Sequence, residues 1–159
     1  MPISTIIVPE LTLDPGEHND LVTAILQEFA PRFLNDAHVL YVRDDSGAVV
    51  HESGVLRSLG MSSDASARYP DVILFSRELN WLFLFDIVIP GVVINEQRSA
   101  ELADLFSAAT TGIVPMTAFR SRSALAQHLE QINWQTEVWI AEEPGHLIHF
   151  NGENFFGPH

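Results

Sequence analysis

The sequence predicts an α/β protein, and three observations support that fold class. Segments with the apolar period of helices alternate along the chain with segments that have the pattern of strands. Two strand segments near the middle, 70–75 and 81–89, are almost continuously apolar, as strands buried on both faces are. The chain has 159 residues and a hydrophobic content of 47%, which suits one hydrophobic core. We therefore expect a single domain over residues 1–159, with these two strands at the centre of its sheet.

The first helix is predicted to begin in the segment Asp14-Pro15-Gly16-Glu17. Asp14 would be the N-cap, Pro15 would take the first helical position, and Glu17 would complete a capping box. Pro31 is expected to end or kink the helix, because proline lacks a backbone N–H and clashes with the preceding turn. The apolar stripe that faces the core consists of Leu21, Ile25, Phe29 and Phe33.

The remaining elements follow from turn residues, helix caps and apolar periods. Before the central strands the sequence predicts, in order, a strand at 38–43, a turn at 44–47, an extended piece at 49–50, a short helix at 55–59 closed by Gly60, and an exposed loop at 61–68. After them it predicts a helix from Asn95 to Gly112, a strand at 113–119, a helix capped by Ser121 or Ser123, and strands at 136–141 and 146–150.

Composition excludes several kinds of chemistry. The chain has no cysteine, which excludes disulfides, thiolate nucleophiles and cysteine-bound zinc and favours a cytoplasmic protein. All eight basic residues are arginines, so no lysine ammonium is present to bind a phosphate. The longest apolar stretch, 81–94, is interrupted by Asp86 and Pro90 and is shorter than the ~20 residues of a membrane helix, so we expect no membrane insertion. The net charge of -13 disfavours strong independent binding to DNA.

Two aspartates on the central strands are the main candidates for chemistry. If the hairpin closes through residues 77–80, Ser76 faces Trp81 and Asp71 faces Asp86, with side chains ~5 Å apart on one face. Two like charges at that distance repel each other, and a divalent cation such as Mg²⁺ would compensate them. The alternative is that Asp71 only begins a strand while Asp86 points to solvent or meets an arginine. A register slip of one residue would also move Asp86 to the other face.

The segment Pro70-Asp71, followed by a hairpin and an acidic residue in the next strand, resembles the PD-(D/E)xK nuclease motif. More specifically, the chain resembles the C-terminal catalytic domain of the BsuBI/PstI-type restriction endonucleases. The resemblance implies a restriction-endonuclease-like core, with a mixed central sheet flanked by helices. It extends from about Leu11 to Pro158 and rests on the segments PGEHNDL, EFAPRF, VLYVRD, PDVILF, NWLFLFD, TAF, WQTEVWIAEEPGHLIHFNG and FFGP.

The chemistry that this resemblance implies is Mg²⁺-dependent hydrolysis of a DNA phosphodiester, with Mn²⁺ as a possible substitute. Asp71 and Asp86 match the metal-binding acids, and Glu17 matches an acidic residue that many such nucleases use in their first helix. For Glu17 the capping box described above remains the alternative. Full-length members carry a further N-terminal region that this chain lacks, so target recognition is expected to need a protein partner or a homodimer.

The departures from the family pattern concern the charged residues of the site. Asp86 stands where the family usually has Glu, and Val88 occupies the lysine position of the motif. A Lys-Arg pair that typically opens the next helix appears as Gln97-Arg98. A missing donor of this kind costs ~2.7–4 kcal/mol and slows chemistry ~10²–10³-fold, unless Arg98 or Gln97 substitutes. Restored cleavage in Val88→Lys would indicate that only the lysine had been lost.

Two functions are consistent with these matches and departures. The first is an attenuated Mg²⁺-dependent DNA endonuclease of a restriction or phage-defence system. The second is a catalytically inactive nuclease fold that binds a protein partner, which the acidic charge and Val88 favour. An acidic mimic of nucleic acid is a third, weaker hypothesis.

Other polar and aromatic clusters are interpreted as structural. His146 and His149 have odd spacing on a predicted strand, which directs their rings to opposite faces and disfavours a shared metal. Aromatic residues near the C-terminus could stack on bases, but their place in a closing sheet is more typical of a core. They are Trp134, Trp139, Phe150, Phe155 and Phe156.

Overall fold

The structure, a computed structural model, describes residue 13 and residues 16–34, 37–44, 47–60, 69–88, 111–128 and 137–149. The helical elements are α1 (Glu17–Ala24), a π-helical turn (Ile25–Phe29), α2 (Ala30–Phe33), α3 (Ser53–Ser58) and α4 (Arg122–His128). The strands are β1 (Ala37–Asp44), β2 (Gly47–His51), β3 (Val72–Ser76), β4 (Trp81–Ile87), β5 (Gly112–Phe119), β6 (Glu137–Ile140) and β7 (Leu147–His149). The helix predicted from Asn95 and the loop predicted at 61–68 lie outside the described residues. None of the helices that the structure describes is long and apolar enough to cross a membrane.

The seven strands form one mixed sheet in the order β2-β1-β3-β4-β5-β6-β7. The pairs β4 with β5 and β5 with β6 are parallel, and the other pairs are antiparallel. The β3–β4 hairpin lies at the centre, as its near-continuous apolar sequence predicts. Its register also matches the prediction, because Ser76 pairs with Trp81 and each following pair keeps step as far as Val72 and Phe85. Asn80 adopts the positive φ of 58° that closes the turn.

The first helix begins later than its capping signals predict. Gly16 is the N-cap, and its carbonyl accepts the first helical hydrogen bond from the Asp20 N–H at 2.8 Å. Glu17 is therefore the first helical residue and not the third, so the predicted capping box is wrong. No described side chain caps this end, but Glu17 and Asp20 place negative charge beside the N–H groups of the first turn. Asp14 and Pro15 lie outside the described residues.

Pro31 does not end the first helix, which continues through α2 to Phe33. The π-helical turn immediately before α2 explains why. Proline cannot donate to the carbonyl four residues earlier, and its ring clashes with that carbonyl in a regular α-helix. A widened turn relieves both conflicts without breaking the helix. The helix ends when Leu34 turns to extended geometry.

Apolar clusters cover both faces of the sheet. One face is covered by the helix that α1, the π-helical turn and α2 form. In its apolar cluster the centroid of the Phe29 ring lies 4.9 Å from that of Phe85 and 5.8 Å from that of Trp139. On the other face Leu56 of α3 and Leu125 of α4 each join a separate cluster. The predicted mixed sheet flanked by helices is thus confirmed. Trp139 is fully buried, as its core interpretation requires.

Both tyrosines of the chain belong to one aromatic cluster beside β1. The Tyr41 and Tyr69 rings lie 5.0 Å apart, and the His51 ring contacts both edge-on. Burial raises the pKa of Tyr41 above 10.0; Arg43 opposes this shift, while Tyr69 and Asp71 add to it. Burial also raises the pKa of Tyr69. Both phenols are therefore harder to ionise in the folded chain.

An absorbance titration of tyrosinate should show this directly, because the chain contains only these two tyrosines. We expect the native midpoint above 10.0 and a return to about 10 in denaturant. A phenol whose pKa is raised by folding stabilises the fold below its unfolded pKa, and that contribution is lost as pH rises through the folded pKa. Stability should therefore begin to fall above about pH 10. A native midpoint at or below the denatured one would contradict the burial of these rings.

Candidate active site

Asp71 lies at the point where the central hairpin meets its neighbouring strand. It directly precedes β3 and follows the buried Pro70. Its main-chain N–H donates to the Phe85 carbonyl of β4 at 2.8 Å, and its carbonyl accepts from the Arg43 N–H of β1 at 2.9 Å. Backbone contacts on both sides therefore fix the position from which the carboxylate projects.

The Asp71 carboxylate completes the hydrogen bonding of β4. The Val88 N–H donates to the Ala118 carbonyl at 3.0 Å, on the β5 side. The preceding N–H, that of Ile87, must then point toward β3, which has already ended its pairing. Asp71 Oδ2 accepts this N–H at 2.9 Å. The side chain thus acts as a substitute for a strand carbonyl and stabilises the end of β4.

Asp86 is the residue between the two β4 residues that Asp71 contacts. It is half-buried and pairs across the parallel ladder with the buried Thr117. The predicted Asp71–Asp86 cross-strand pair lies one step beyond the last ladder pair, because β3 begins only at Val72. Instead of forming that pair, Asp71 hydrogen-bonds to the chain neighbours of Asp86 on both sides, Phe85 and Ile87. The main chains of the two aspartates therefore lie side by side at one end of the hairpin.

Glu17, the third predicted acid, begins α1. Its side chain is 50% exposed, and its Oε1 lies 3.5 Å from Arg120 Nη1 across a shallow pocket of about 300 Å³. The next residue, His18, is the one that reaches Asp71. Within the described ranges no group of three His, Asp or Glu side chains could hold a metal ion together. Gln97 and Arg98 lie outside those ranges.

His18 is the contact that the sequence interpretation missed. Its Nε2 donates to Asp71 Oδ1 at 3.1 Å, and its side chain is only 13% exposed. Its Nδ1 lies 3.3 Å from Oδ1 of Asn19, whose exposed fraction is 3%. The adjacent polar residues His18 and Asn19, just before the apolar stripe begins at Leu21, are the sequence signal that could have pointed to a polar cluster.

The comparison with known proteins identifies the family. The model of the BsuBI/PstI restriction endonuclease domain matches residues 2–153. The chain belongs to the BsuBI/PstI restriction endonuclease domain family. This BsuBI/PstI-type domain is 42% identical over 151 residues to the type II restriction enzyme BsuBI of Bacillus subtilis, covering 94% of the chain and 48% of that enzyme. It is 28% identical over 153 residues to the type II restriction enzyme AplI of Arthrospira platensis, covering 91% of the chain and 47% of that enzyme.

A solved structure supports the same assignment. The structure of SdaI restriction endonuclease superposes with a TM-score of 0.84 at 34% identity, over 98% of this chain and 50% of that chain. The predicted restriction-endonuclease-like fold is thereby confirmed. The chain spans about half the length of the relatives that it matches. It is a type II restriction endonuclease-like domain.

The donors at this BsuBI/PstI-type site fit a hard divalent cation. Within the described part of the chain, each oxygen of the Asp71 carboxylate accepts one hydrogen bond, from His18 and from Ile87, and a carboxylate oxygen can accept in a second direction. Asp86 supplies a second carboxylate at the same end of the hairpin. Mg²⁺ is commonly held by one or two carboxylates and keeps several of its waters. Asp71 and Asp86 are therefore the carboxylates at this end of the hairpin that could hold such an ion.

The alternative histidine site has no support among the described residues. His146 is exposed and precedes β7, with its main-chain N–H bonded to the Glu143 carbonyl at 3.1 Å. The Glu143 side chain forms an ion pair with Arg122. The Trp139 indole donates to the Pro144 carbonyl at 3.1 Å. These contacts fasten the turn between β6 and β7.

Proposed function

We propose that this domain hydrolyses DNA phosphodiester bonds with Mg²⁺, or Mn²⁺ in its place, and that Asp71 and Asp86 hold the ion. The observation that carries the proposal is the hydrogen-bonded position of Asp71 beside Asp86 in a BsuBI/PstI-type fold. The bound ion would neutralise phosphate charge and lower the pKa of a water nucleophile. The two aspartates would bind the ion through their carboxylate oxygens, and the hydrogen-bonded end of the strand would keep them in place.

The rate of this reaction is expected to be reduced, because the lysine position holds an apolar residue. Val88 is 2% exposed and packs with Phe119 and Leu125, so no cation can act from that position. We place the compensating role on Arg98 or Gln97. An arginine there could bind a phosphate oxygen but would manage protons poorly, since it does not deprotonate in proteins. The proposed site is therefore a weak catalyst and a competent metal binder.

Glu17 is proposed as an accessory acid of the same site. It is adjacent in α1 to His18, which contacts Asp71. Its half-exposed carboxylate, however, already lies near Arg120, and that contact competes with an ion. We therefore expect Glu17→Gln to weaken ion binding less than substitution of either aspartate.

The deciding experiment measures ion binding and cleavage on the same samples. Mg²⁺ and Mn²⁺ are titrated by calorimetry into the wild type, Asp86→Asn and the control Glu52→Gln, and plasmid nicking is followed with each ion. Glu52 is exposed at the start of α3, and its substitution removes the same charge away from the hairpin end. We expect binding in the wild type and control and its loss in Asp86→Asn. Absence of both ion binding and nicking in the wild type would overturn the proposal.

Substitution at 97 and 98 should show which side chain replaces the lysine. Arg98→Ala is expected to slow plasmid nicking ~10²-fold while leaving ion binding unchanged, because a phosphate contact would act mainly in the transition state. Gln97→Ala is the companion variant, and Arg77→Ala, in the exposed hairpin turn, removes an equal charge as a control. Equal nicking rates in all four proteins would exclude both candidates.

DNA contact by this domain alone is proposed to be weak, because the net charge of -13 opposes phosphate binding. A protein partner would then supply the basic surface, whereas a homodimer would double the same acidic charge and would only bring a second copy of the site. Nicking that rises more steeply than linearly with protein concentration would support a homodimer, and sedimentation at the same concentrations would check it.

The burial of Val88 also favours a second candidate, an inactive nuclease fold that binds a protein partner in a restriction or phage-defence system. Ion binding at Asp71 and Asp86 separates the two candidates. The protein-binding function does not require it, whereas the nuclease function does.

A further inference from the structure

We infer that His18 is a positioning residue, which holds the Asp71 carboxylate in the orientation that binds the metal ion. The inference rests on the proposed use of Asp71 as a ligand and adds a residue that the nuclease motif does not contain. It begins from the contact between His18 Nε2 and Asp71 Oδ1 at 3.1 Å.

A carboxylate needs two restraints to keep one orientation. The final torsion of an aspartate side chain is broad, so its own stereochemistry leaves the plane of the oxygens free to rotate. At Asp71 one restraint comes from the Ile87 N–H on Oδ2, and the second comes from His18 on Oδ1. Without His18 the carboxylate would keep a single hydrogen bond on the described side chains and backbone and could turn about it.

The imidazole is itself restrained, which allows it to act as a fixed donor. It is 13% exposed on α1, and its second nitrogen lies 3.3 Å from the side-chain oxygen of the buried Asn19. The neighbouring Leu21 and Val22 anchor the same helical turn in the main apolar cluster. Packing of this helix against the sheet therefore fixes the position of His18 relative to the Asp71 carboxylate.

A hydrogen bond to a ligand's second lone pair is a common way of tuning ion affinity. Groups that orient a ligating side chain typically contribute 10–100-fold in metal affinity or activity. His18 can supply such a bond and leave both Asp71 oxygens able to face an ion, because each oxygen accepts in more than one direction. Direct ligation by the imidazole is less suited to Mg²⁺, which prefers oxygen.

The test compares His18→Phe with His18→Gln. Phe keeps a planar ring but has no donor, whereas the Gln amide can donate from near the position of Nε2. We expect the Mn²⁺ and Mg²⁺ dissociation constants from calorimetry to rise ~10–100-fold in His18→Phe and to stay within about threefold of the wild type in His18→Gln. Urea unfolding of each variant checks that the fold is intact. If Phe prevents folding, His18→Ala makes the same comparison without added volume.

The outcomes separate this inference from the proposed nuclease function. Wild-type affinity in the Phe or Ala variant overturns the positioning role while the metal site remains. An equal loss in the donor-free and Gln variants also overturns it, because the donated hydrogen bond would not be what matters. Absence of ion binding in the wild type overturns the inference together with the nuclease function.

Discussion

Asp71→Ala is expected to abolish ion binding and plasmid nicking and also to lower the free energy of unfolding by about 1–3 kcal/mol. The stability loss arises because the Ile87 N–H and His18 Nε2 both lose their acceptor. A main-chain donor at the end of a buried strand has no easy access to water and bears the cost of being left unpaired. Calorimetric titration, nicking and urea unfolding measure the three effects.

Asp71→Asn separates the two roles of this side chain. The amide oxygen can still accept the Ile87 N–H, so we expect unfolding within about 1 kcal/mol of the wild type. The negative charge is gone, so ion binding should be lost as in the alanine variant. Glu52→Gln again serves as the control for removing one charge. Wild-type ion affinity in Asp71→Asn would mean that Asp71 is only a structural residue.

Val88→Lys is expected to destabilise the fold by about 2–4 kcal/mol, because it places a charged group in an apolar environment. Val88 is 2% exposed in a cluster with Phe119, Leu125 and, from β6, Val138 and Ile140. We therefore expect no recovery of nicking, although a lysine at this position restores the sequence of the nuclease motif. Urea unfolding gives the stability change, and nicking is assayed on the same protein.

Val88→Met is the matched control for this substitution, because it adds comparable length without charge. A long lysine stem can sometimes run along apolar surface and leave its ammonium at the edge of the protein. Equal stability of the lysine and methionine variants would indicate that the ammonium escapes burial. Nicking above the wild-type rate would then show that the site still accepts the missing cation.

The central hairpin illustrates what could be predicted from the sequence. Two apolar runs separated by a short turn were enough to place β3 and β4 together and to pair Ser76 with Trp81. Turn length fixes the pairing step, and the two-residue side-chain period fixes which residues share a face. Of the two caps proposed for α4, Ser121 is the one observed, with its hydroxyl accepting the Ala124 N–H at 3.2 Å.

Helix boundaries were less predictable, because packing against the sheet, and not the local capping residues, determined where the first helix begins and ends. Asp14, Pro15 and Glu17 match a capping box, yet α1 begins at Gly16 and Glu17. Pro31 normally ends a helix, but here a π-helical turn accommodates it while Phe29 stays in the core. Both deviations preserve the contact of one apolar stripe with the sheet, which contributes more than a cap or a regular turn.

The sequence by itself determined the fold class, the central hairpin, the two aspartates at its end and the absence of a lysine from the whole chain. The tertiary structure alone decided what surrounds those aspartates. Asp71 receives hydrogen bonds from His18, 53 positions earlier, and from Ile87, 16 positions later. Contacts over such separations depend on how α1 packs against the sheet and where β3 stops pairing. No local pattern of residues predicts either of these two contacts.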